Sequence, residues 1–249
     1  MKGKPFIGHD LAGTYIVVEG IGGCGKTIQG ENLVEALKRR YSDREVILTH
    51  EPGGTEKSEQ IRNVSVTKAE TSEEVVPYAE VFLFAASRCQ AVTTLIRPVL
   101  ERGGIVISDR SYFSSLCYQG YARELGWQNV LRINEIALSG TYPDKVFLPD
   151  ICPELGLQRR NFREKRNNIY DDKSLEYFRK VREGYLFFAK RLNGGFTVID
   201  GELSIEEINK IVLEQSLELI FERETQRELL LKEHLLGKEG NIFRVGKER

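Results

Sequence analysis

The chain has 249 residues, of which 41% are apolar and 29% charged, and its formal net charge at pH 7 is −1. This is a globular composition with room for a substantial core, and the near-neutral charge gives no indication of nucleic acid or a membrane as a general partner. The four cysteines form no C-x-x-C pair, so neither a zinc site nor a disulfide framework is expected. We expect no signal peptide, no run long enough to span a bilayer, and a cytoplasmic location.

A glycine-rich stretch near the N-terminus fits the pattern G-x-x-x-x-G-K-[ST] of a phosphate-binding loop. It consists of Gly20, Ile21, Gly22, Gly23, Cys24, Gly25, Lys26 and Thr27. Glycines let consecutive backbone N–H groups close on phosphate oxygens, Lys26 can reach the β- and γ-phosphates, and the Thr27 hydroxyl can bind Mg²⁺. A β-branched run before the loop and apolar residues at helical spacing after it predict the strand and helix that this motif requires. A chance glycine-rich turn is the alternative.

Short apolar runs and helical stripes alternate along the rest of the chain. The runs predict strands at residues 15–18, 45–49, 105–108, 145–148 and 196–200. Helices are predicted after the phosphate loop, around Ile61, from Pro77 to about Arg102 with a kink or an early end at Pro98, through 175–188, and from Ser204 onward. The alternation predicts an α/β fold, in which helices flank a five-stranded parallel sheet.

Two charged segments stand where such a fold binds ligands. Asp109 and Arg110 end the third predicted strand, where a carboxylate can hold Mg²⁺ and an arginine can clamp a phosphate. An aspartate ending a strand is also a common helix cap, so both interpretations stay open. The basic run at about 153–172 suits a lid that closes over a triphosphate, and a solvated helical face is the other interpretation.

Domain boundaries follow from these patterns. We expect a loose lead-in over residues 1–13, one domain over 14–215 that includes the lid, and a charged helical extension over 216–249. Ser204 and Glu207 are spaced as a capping box at the start of the last helix.

Motif stretches at 19–27, 51–55, 61–62, 82–88, 109–110, 114, 118–120, 143–144 and 181–186 follow one another in the order and spacing of the thymidylate kinase family. The chain resembles that family from about Thr14 to Gln215. The stretches Glu51–Thr55 and Tyr118–Gly120 are much more specific than the phosphate loop, which many enzymes share. The resemblance implies a P-loop NTPase fold with a lid, ATP as the phosphoryl donor and Mg²⁺ as cofactor.

The resemblance also implies a role for individual residues. The substrate-binding set is Glu51, Arg62, Phe84, Arg88, Arg110, Ser114, Ser115, Tyr118 and Gln119. In that set, Phe84 would stack on thymine and Arg88 would hold the edge of the base. The alternatives are that Phe84 only packs in the core and that Arg88 is a solvated surface charge. The implied catalytic set is Lys26, Arg110, Arg159, Arg163 and Arg166, and the metal ligands are Thr27 and Asp109.

The resemblance therefore implies a homodimeric enzyme that phosphorylates dTMP to dTDP with Mg·ATP. Gly22 departs from the family, which usually has Asp or Glu at this position of the loop, and Ile28 and His50 also differ. These departures keep two alternatives open: a kinase of the same fold acting on another nucleotide, and a non-catalytic protein that binds ATP.

Overall fold

The computed structural model describes residues 7–66, 73–161, 169–170, 172–192 and 194–242. Its centre is a parallel sheet of five strands, which confirms the predicted fold class. The strands are β1 (Thr14–Val18), β2 (Val46–His50), β3 (Ile105–Asp109), β4 (Lys145–Asp150) and β5 (Phe196–Asp200). Their order is β2-β3-β1-β4-β5. In this register Asp109 pairs with Val18 on one side and His50 on the other, so the loops after three strands meet at one edge.

Helices cover both faces of the sheet. They are α1 (Lys26–Arg40), α2 (Glu56–Val66), α3 (Pro77–Ala91), α4 (Arg97–Glu101), α5 (Tyr112–Ser115), α6 (Trp127–Leu138), α7 (Pro153–Asn161), α8 (Leu175–Arg191) and α9 (Ile205–Ile242). Alternate residues of β1 point to opposite faces, as strand geometry requires. Tyr15 and Val17 join the larger core with α8, whereas Ile16 joins the core that α1 and α9 close.

The predicted helix from Pro77 is interrupted shortly before Pro98. A π-helical turn, Val92–Ile96, separates α3 from α4, and the Arg97 N–H donates to the carbonyl of Val92, five residues earlier. Pro98 has no N–H for the regular helical bond, so the wider turn absorbs the break. A second π-helical segment, Leu116–Ala122, follows α5.

The segment Pro77–Glu101 also meets the length and composition needed to cross a membrane, with 25 residues and a mean hydropathy of 1.2 in its most apolar window. The expectation that no run is long enough was therefore wrong on these criteria. Half of that window is buried inside the fold, and the segment carries the buried side chains of Glu80 and Arg88. Those are the properties of a core helix.

The two ends of the described chain are tied together. Arg223 of α9 donates to the carbonyl oxygens of Leu11 at 2.9 Å and Gly13 at 3.2 Å, and pairs with Asp144. The His9 Nε2 atom lies 3.1 Å from the same carboxylate. Residues 7–13 are therefore anchored by α9, which continues without a break past the boundary predicted at residue 216.

Candidate active site

The phosphate loop has the backbone that its glycines predict. Gly20, Gly23 and Gly25 have φ angles of +137°, +87° and +92°, a region that other residues rarely adopt. Gly25 stands directly before α1, which begins at Lys26. The Lys26 ammonium group donates to the carbonyl of Ile21 at 2.9 Å, so the side chain folds back over the loop. The strand, loop and helix therefore have the arrangement that could hold an anion at the start of α1.

Thr27 and Asp109 meet across the sheet edge. The Thr27 hydroxyl donates to the Asp109 carboxylate at 2.6 Å. Burial alone would raise the pKa of Asp109, but the positive charges of Lys26 and Arg110 and the bond from Thr27 outweigh it, so the pKa lies below its ordinary value. A hydroxyl and an ionised carboxylate are oxygen ligands of the kind that Mg²⁺ takes, alongside water and phosphate oxygens. The described residues contain no group of three or more His, Cys, Asp or Glu side chains that could hold a metal by themselves.

Arg110 is partly buried beside the loop in a backbone conformation rare for its type, with φ of +77°. Its guanidinium donates to the Ser114 hydroxyl at 3.0 Å and the Gly20 carbonyl at 3.2 Å, and it lies over the Tyr118 ring at 5.2 Å. Burial would lower its pKa, but Tyr118, Tyr185 and Asp109 outweigh burial and raise the pKa well above its ordinary value. A fixed positive charge therefore stands between the phosphate loop and the segment that begins with α5.

Glu19 organises this region, a role that was not predicted from the sequence. Its buried carboxylate accepts hydrogen bonds from the backbone N–H groups and the hydroxyls of Ser111 and Ser114, and from the Tyr185 hydroxyl. The signal in the sequence was an acidic residue between the apolar run at 15–18 and the first glycine of the loop.

Arg88 is buried and paired, so its interpretation as a solvated surface charge is wrong. The side chain is 2% exposed and donates to Glu51 at 2.5 Å, to Asn134, and to the Ser115 hydroxyl at 3.4 Å. Burial raises the pKa of Glu51, and the adjacent guanidinium opposes that rise. Phe84 lies one turn earlier on the same face of α3 and is also buried.

Arg62 holds the loop between β2 and α2. Its guanidinium donates to the Pro52 carbonyl at 2.7 Å and to the His50 ring at 3.0 Å. The Gly53 N–H donates to the Ser87 hydroxyl at 3.1 Å, which fixes the same loop to α3. The structure therefore brings Arg62 to the loop that carries Glu51.

Gln119 contacts α3 at Glu80, two turns before Arg88 on the same face of the helix. Its amide nitrogen donates to Glu80 at 2.6 Å and to the Tyr170 hydroxyl at 2.6 Å, and Tyr170 itself donates to Glu80. Arg123 pairs with the second oxygen of Glu80 at 2.9 Å. Burial, followed by the charge of Glu80, raises the pKa of Tyr170 well above its ordinary value, so this hydroxyl stays neutral. Gln119 was predicted from the sequence, whereas its links to Glu80, Tyr170 and Arg123 were not.

Helix α7, which begins the segment predicted to be a lid, packs directly on the phosphate loop. A Cβ atom added to Gly23 would lie 2.5 Å from the Gly156 carbonyl oxygen, and one added to Gly22 would lie 2.6 Å from Cδ of Arg160. Arg159 donates to the Gly201 carbonyl at 3.1 Å beside a cavity of about 340 Å³. The cavity is lined by Gly23, Cys24, Gly25, Ile28, Gln29, Arg159, Gly201, Leu203, Ile205 and Ile208. Arg163 and Arg166 lie outside the described residues.

Comparison with known proteins agrees with this geometry. The family model described as thymidylate kinase matches residues 18–212. A thymidylate kinase from Caldanaerobacter subterraneus subsp. tengcongensis is 39% identical over 82% of this chain and 94% of its own length. One from Maridesulfovibrio salexigens is 36% identical over 83% of this chain and 96% of its own.

A solved structure shows the same likeness in three dimensions. The crystal structure of thymidylate kinase from Ehrlichia chaffeensis matches with a TM-score of 0.66 and 28% identity, over 83% of this chain and 99% of that one. The match of the family model covers most of the chain, and the aligned relatives are matched along nearly their whole length. This chain therefore belongs to the thymidylate kinase family.

Proposed function

We propose that the protein transfers the γ-phosphoryl group of Mg·ATP to dTMP, giving ADP and dTDP. The observation that carries the proposal is that one residue, Arg110, contacts both the phosphate loop and the residues predicted to bind the acceptor. Arg110 contacts Gly20 of the phosphate loop, and it lies over Tyr118, which follows the acceptor-side residues Ser114 and Ser115. A donor phosphate on the loop and an acceptor phosphate beyond it would share this guanidinium.

The donor nucleotide would bind with its phosphates in the loop and its base in the cavity beside Arg159. The cavity lies between the loop and the start of α9, and apolar side chains such as Leu203 and Ile208 can pack on a purine. The backbone N–H groups of the loop and the positive end of α1 would hold the phosphates. Mg²⁺ would be held by Thr27 and Asp109, and when bound it offsets charge on the phosphate oxygens.

The acceptor would enter with thymine on Phe84. Arg88 and Ser115 lie near one end of that face and Gln119 near the other, so polar groups flank the aromatic ring. The Gln119 Oε1 atom is buried, and no group in the described part of the chain donates to it. A ligand N–H would satisfy that oxygen, and N3–H of thymine is such a donor.

Catalysis would consist of positioning and charge stabilisation. The acceptor is a phosphate, which is already nucleophilic, so no strong general base is required. Lys26 is a buried cation and Arg110 a partly buried one, and they would lie on the two sides of the transferred group, where low polarity strengthens their effect. Closure of the lid, which includes Arg159, would exclude water and suppress hydrolysis of ATP.

As partners we propose small nucleotides and a second copy of the chain. The outer face of α3 exposes apolar side chains, with Phe82 58% and Tyr78 42% exposed, and Val64 of α2 and Ile136 of α6 are exposed as well. Exposed apolar surface of this kind favours association. Sedimentation at micromolar concentration should give twice the mass of the chain. Monomeric wild-type protein would contradict this part of the proposal.

Release of ADP measured against a panel of nucleoside monophosphates tests the reaction. With Mg·ATP, dTMP should be used in preference to dUMP, dCMP and dGMP. Equal or better activity with any of these three would remove the thymidylate assignment and favour a related kinase, an alternative that Gly22 keeps open. Absence of ADP release with every acceptor would favour a protein that only binds ATP.

A further inference from the structure

The face of α3 that meets the acceptor pocket pairs with a second segment at two points. Glu80, Phe84 and Arg88 follow at intervals of four residues and are 1%, 6% and 2% exposed. Ser115 and Gln119 are also four residues apart. Arg88 contacts Ser115, and Glu80 contacts Gln119, so the two segments run antiparallel with Phe84 between the contacts. Glu80 therefore belongs to the wall that carries the stacking ring.

Hydrogen-bond chemistry fixes which way the Gln119 amide points. An ionised carboxylate only accepts, whereas an amide group donates through nitrogen and accepts through oxygen. Arg123 pairs with one oxygen of Glu80 at 2.9 Å, and the Tyr170 hydroxyl donates to the other, so the carboxylate acts as an acceptor toward both. The opposite orientation would place the Gln119 oxygen against a carboxylate oxygen, which is repulsive. The nitrogen of Gln119 must face Glu80.

The oxygen of Gln119 is consequently the atom left for a ligand. Gln119 is 1% exposed, and among the described residues nothing donates to Oε1. A buried acceptor of this kind favours a ligand that brings an N–H group and disfavours one that brings another acceptor. At ring position N3, thymine and uracil carry a hydrogen, whereas neutral cytosine has a lone pair.

We propose that Glu80 is a positioning residue that, with Tyr170 and Arg123, orients the Gln119 amide and thereby selects pyrimidines that donate at N3. The inference rests on the proposed function, because it assigns the base preference of that acceptor pocket. Tyr170, at the end of the predicted lid, would then influence which acceptor base is bound, because it contacts both Glu80 and Gln119. Glu80 acts through Gln119 and does not itself contact the base.

The test is the ratio of kcat/KM for dTMP to that for dCMP in Glu80→Gln. A neutral amide at position 80 can present either N–H or oxygen, so Gln119 is free to turn. The ratio should fall about tenfold or more, while KM for ATP stays unchanged. Tyr170→Phe removes one donor to Glu80 and should lower the ratio in the same direction. The control is Glu101→Gln, at a half-exposed residue of α4 that pairs with Arg97, and it should keep the wild-type ratio.

The outcomes separate this inference from the proposed function. A wild-type protein that uses dTMP, together with a Glu80→Gln variant that keeps its preference over dCMP, would overturn the role of Glu80 alone. A wild-type protein that makes no dTDP would overturn the proposed function and this inference with it. If Glu80→Gln does not fold, Tyr170→Phe decides, and an unchanged ratio in that variant overturns the inference.

Discussion

The carboxylate of Glu19 accepts two hydrogen bonds from Ser114, one from the backbone N–H at 3.1 Å and one from the hydroxyl at 2.7 Å. With the bonds from Ser111, these contacts fix the segment after Arg110 to the end of β1, directly before the phosphate loop. The position of Arg110 relative to the loop therefore depends on a residue that would not touch substrate.

Glu19→Gln tests that dependence. The variant replaces one accepting oxygen by a donating nitrogen, so at least one bond to the serines is lost and Arg110 is held less firmly. We expect kcat to fall on the order of tenfold and the free energy of unfolding to fall by about 1–3 kcal/mol. The control is Glu45→Gln, which affects a surface pair with Arg102 and should change neither. Wild-type kcat in Glu19→Gln would refute the positioning role.

Neighbouring glycines of the phosphate loop should respond differently to alanine. At Gly23 a Cβ would meet the backbone of Gly156, and the φ of +87° is strained for alanine. At Gly22 it would meet the flexible side chain of Arg160, which can shift. Gly23→Ala should therefore lower kcat/KM for ATP at least tenfold more than Gly22→Ala does. Steady-state kinetics at saturating dTMP measure this, and equal losses would show that α7 does not rest on the loop as described.

The first turn of α9 should give a pH-dependent contribution to stability. Ser204 and Glu207 form the reciprocal hydrogen bonds of a capping box, which confirms that prediction. The bonds from the Ser204 hydroxyl and N–H lower the pKa of Glu207. A lowered folded-state pKa gives stability that is present above the unfolded pKa, about 4.3, and is lost as the pH falls through the folded value.

The variant Glu207→Gln removes this contribution. Its melting temperature should lie below that of the wild type at pH 7, and the difference should shrink as the pH is lowered toward about 3. Glu206→Gln alters an adjacent exposed residue and should show no such trend. A difference that stays constant with pH would mean that the charge of Glu207 is not what stabilises the helix end.

Two cysteines should differ sharply in reactivity. Cys117 is buried, and burial, followed by the charge of Glu19, raises the pKa of its thiol well above the ordinary value. Cys89 is exposed on the outer face of α3. Iodoacetamide at pH 8 should modify Cys89 and spare Cys117, as read by mass spectrometry.

If α3 forms the proposed dimer face, modification of Cys89 should slow as protein concentration rises. A rate of modification that does not depend on protein concentration would argue against that face.

Local patterns predicted the parts of the site that short stretches of chain build alone. The phosphate loop follows from its glycines, and the position of Asp109 at the sheet edge follows from the alternation of strands and helices. Contacts between residues far apart in the sequence could not be predicted. The pairing of Arg88 with Glu51 joins residues 37 apart, and that of Tyr170 with Glu80 joins residues 90 apart. Such contacts depend on how helices pack, which periodicity does not encode, and so Arg88 could equally be interpreted as a surface charge.

The most direct measurement is the transfer of labelled phosphate from γ-labelled ATP to dTMP, with wild-type protein and Lys26→Ala compared. Lys26 is the buried cation of the phosphate loop, so its loss should lower the rate of labelled dTDP formation on the order of 10²–10³-fold. Lys57→Ala, at an exposed position of α2, serves as the control for loss of a lysine. Labelled dTDP that depends on Lys26 is the predicted result. Labelled dTDP formed equally well without Lys26, or none formed by the wild type, would contradict the account.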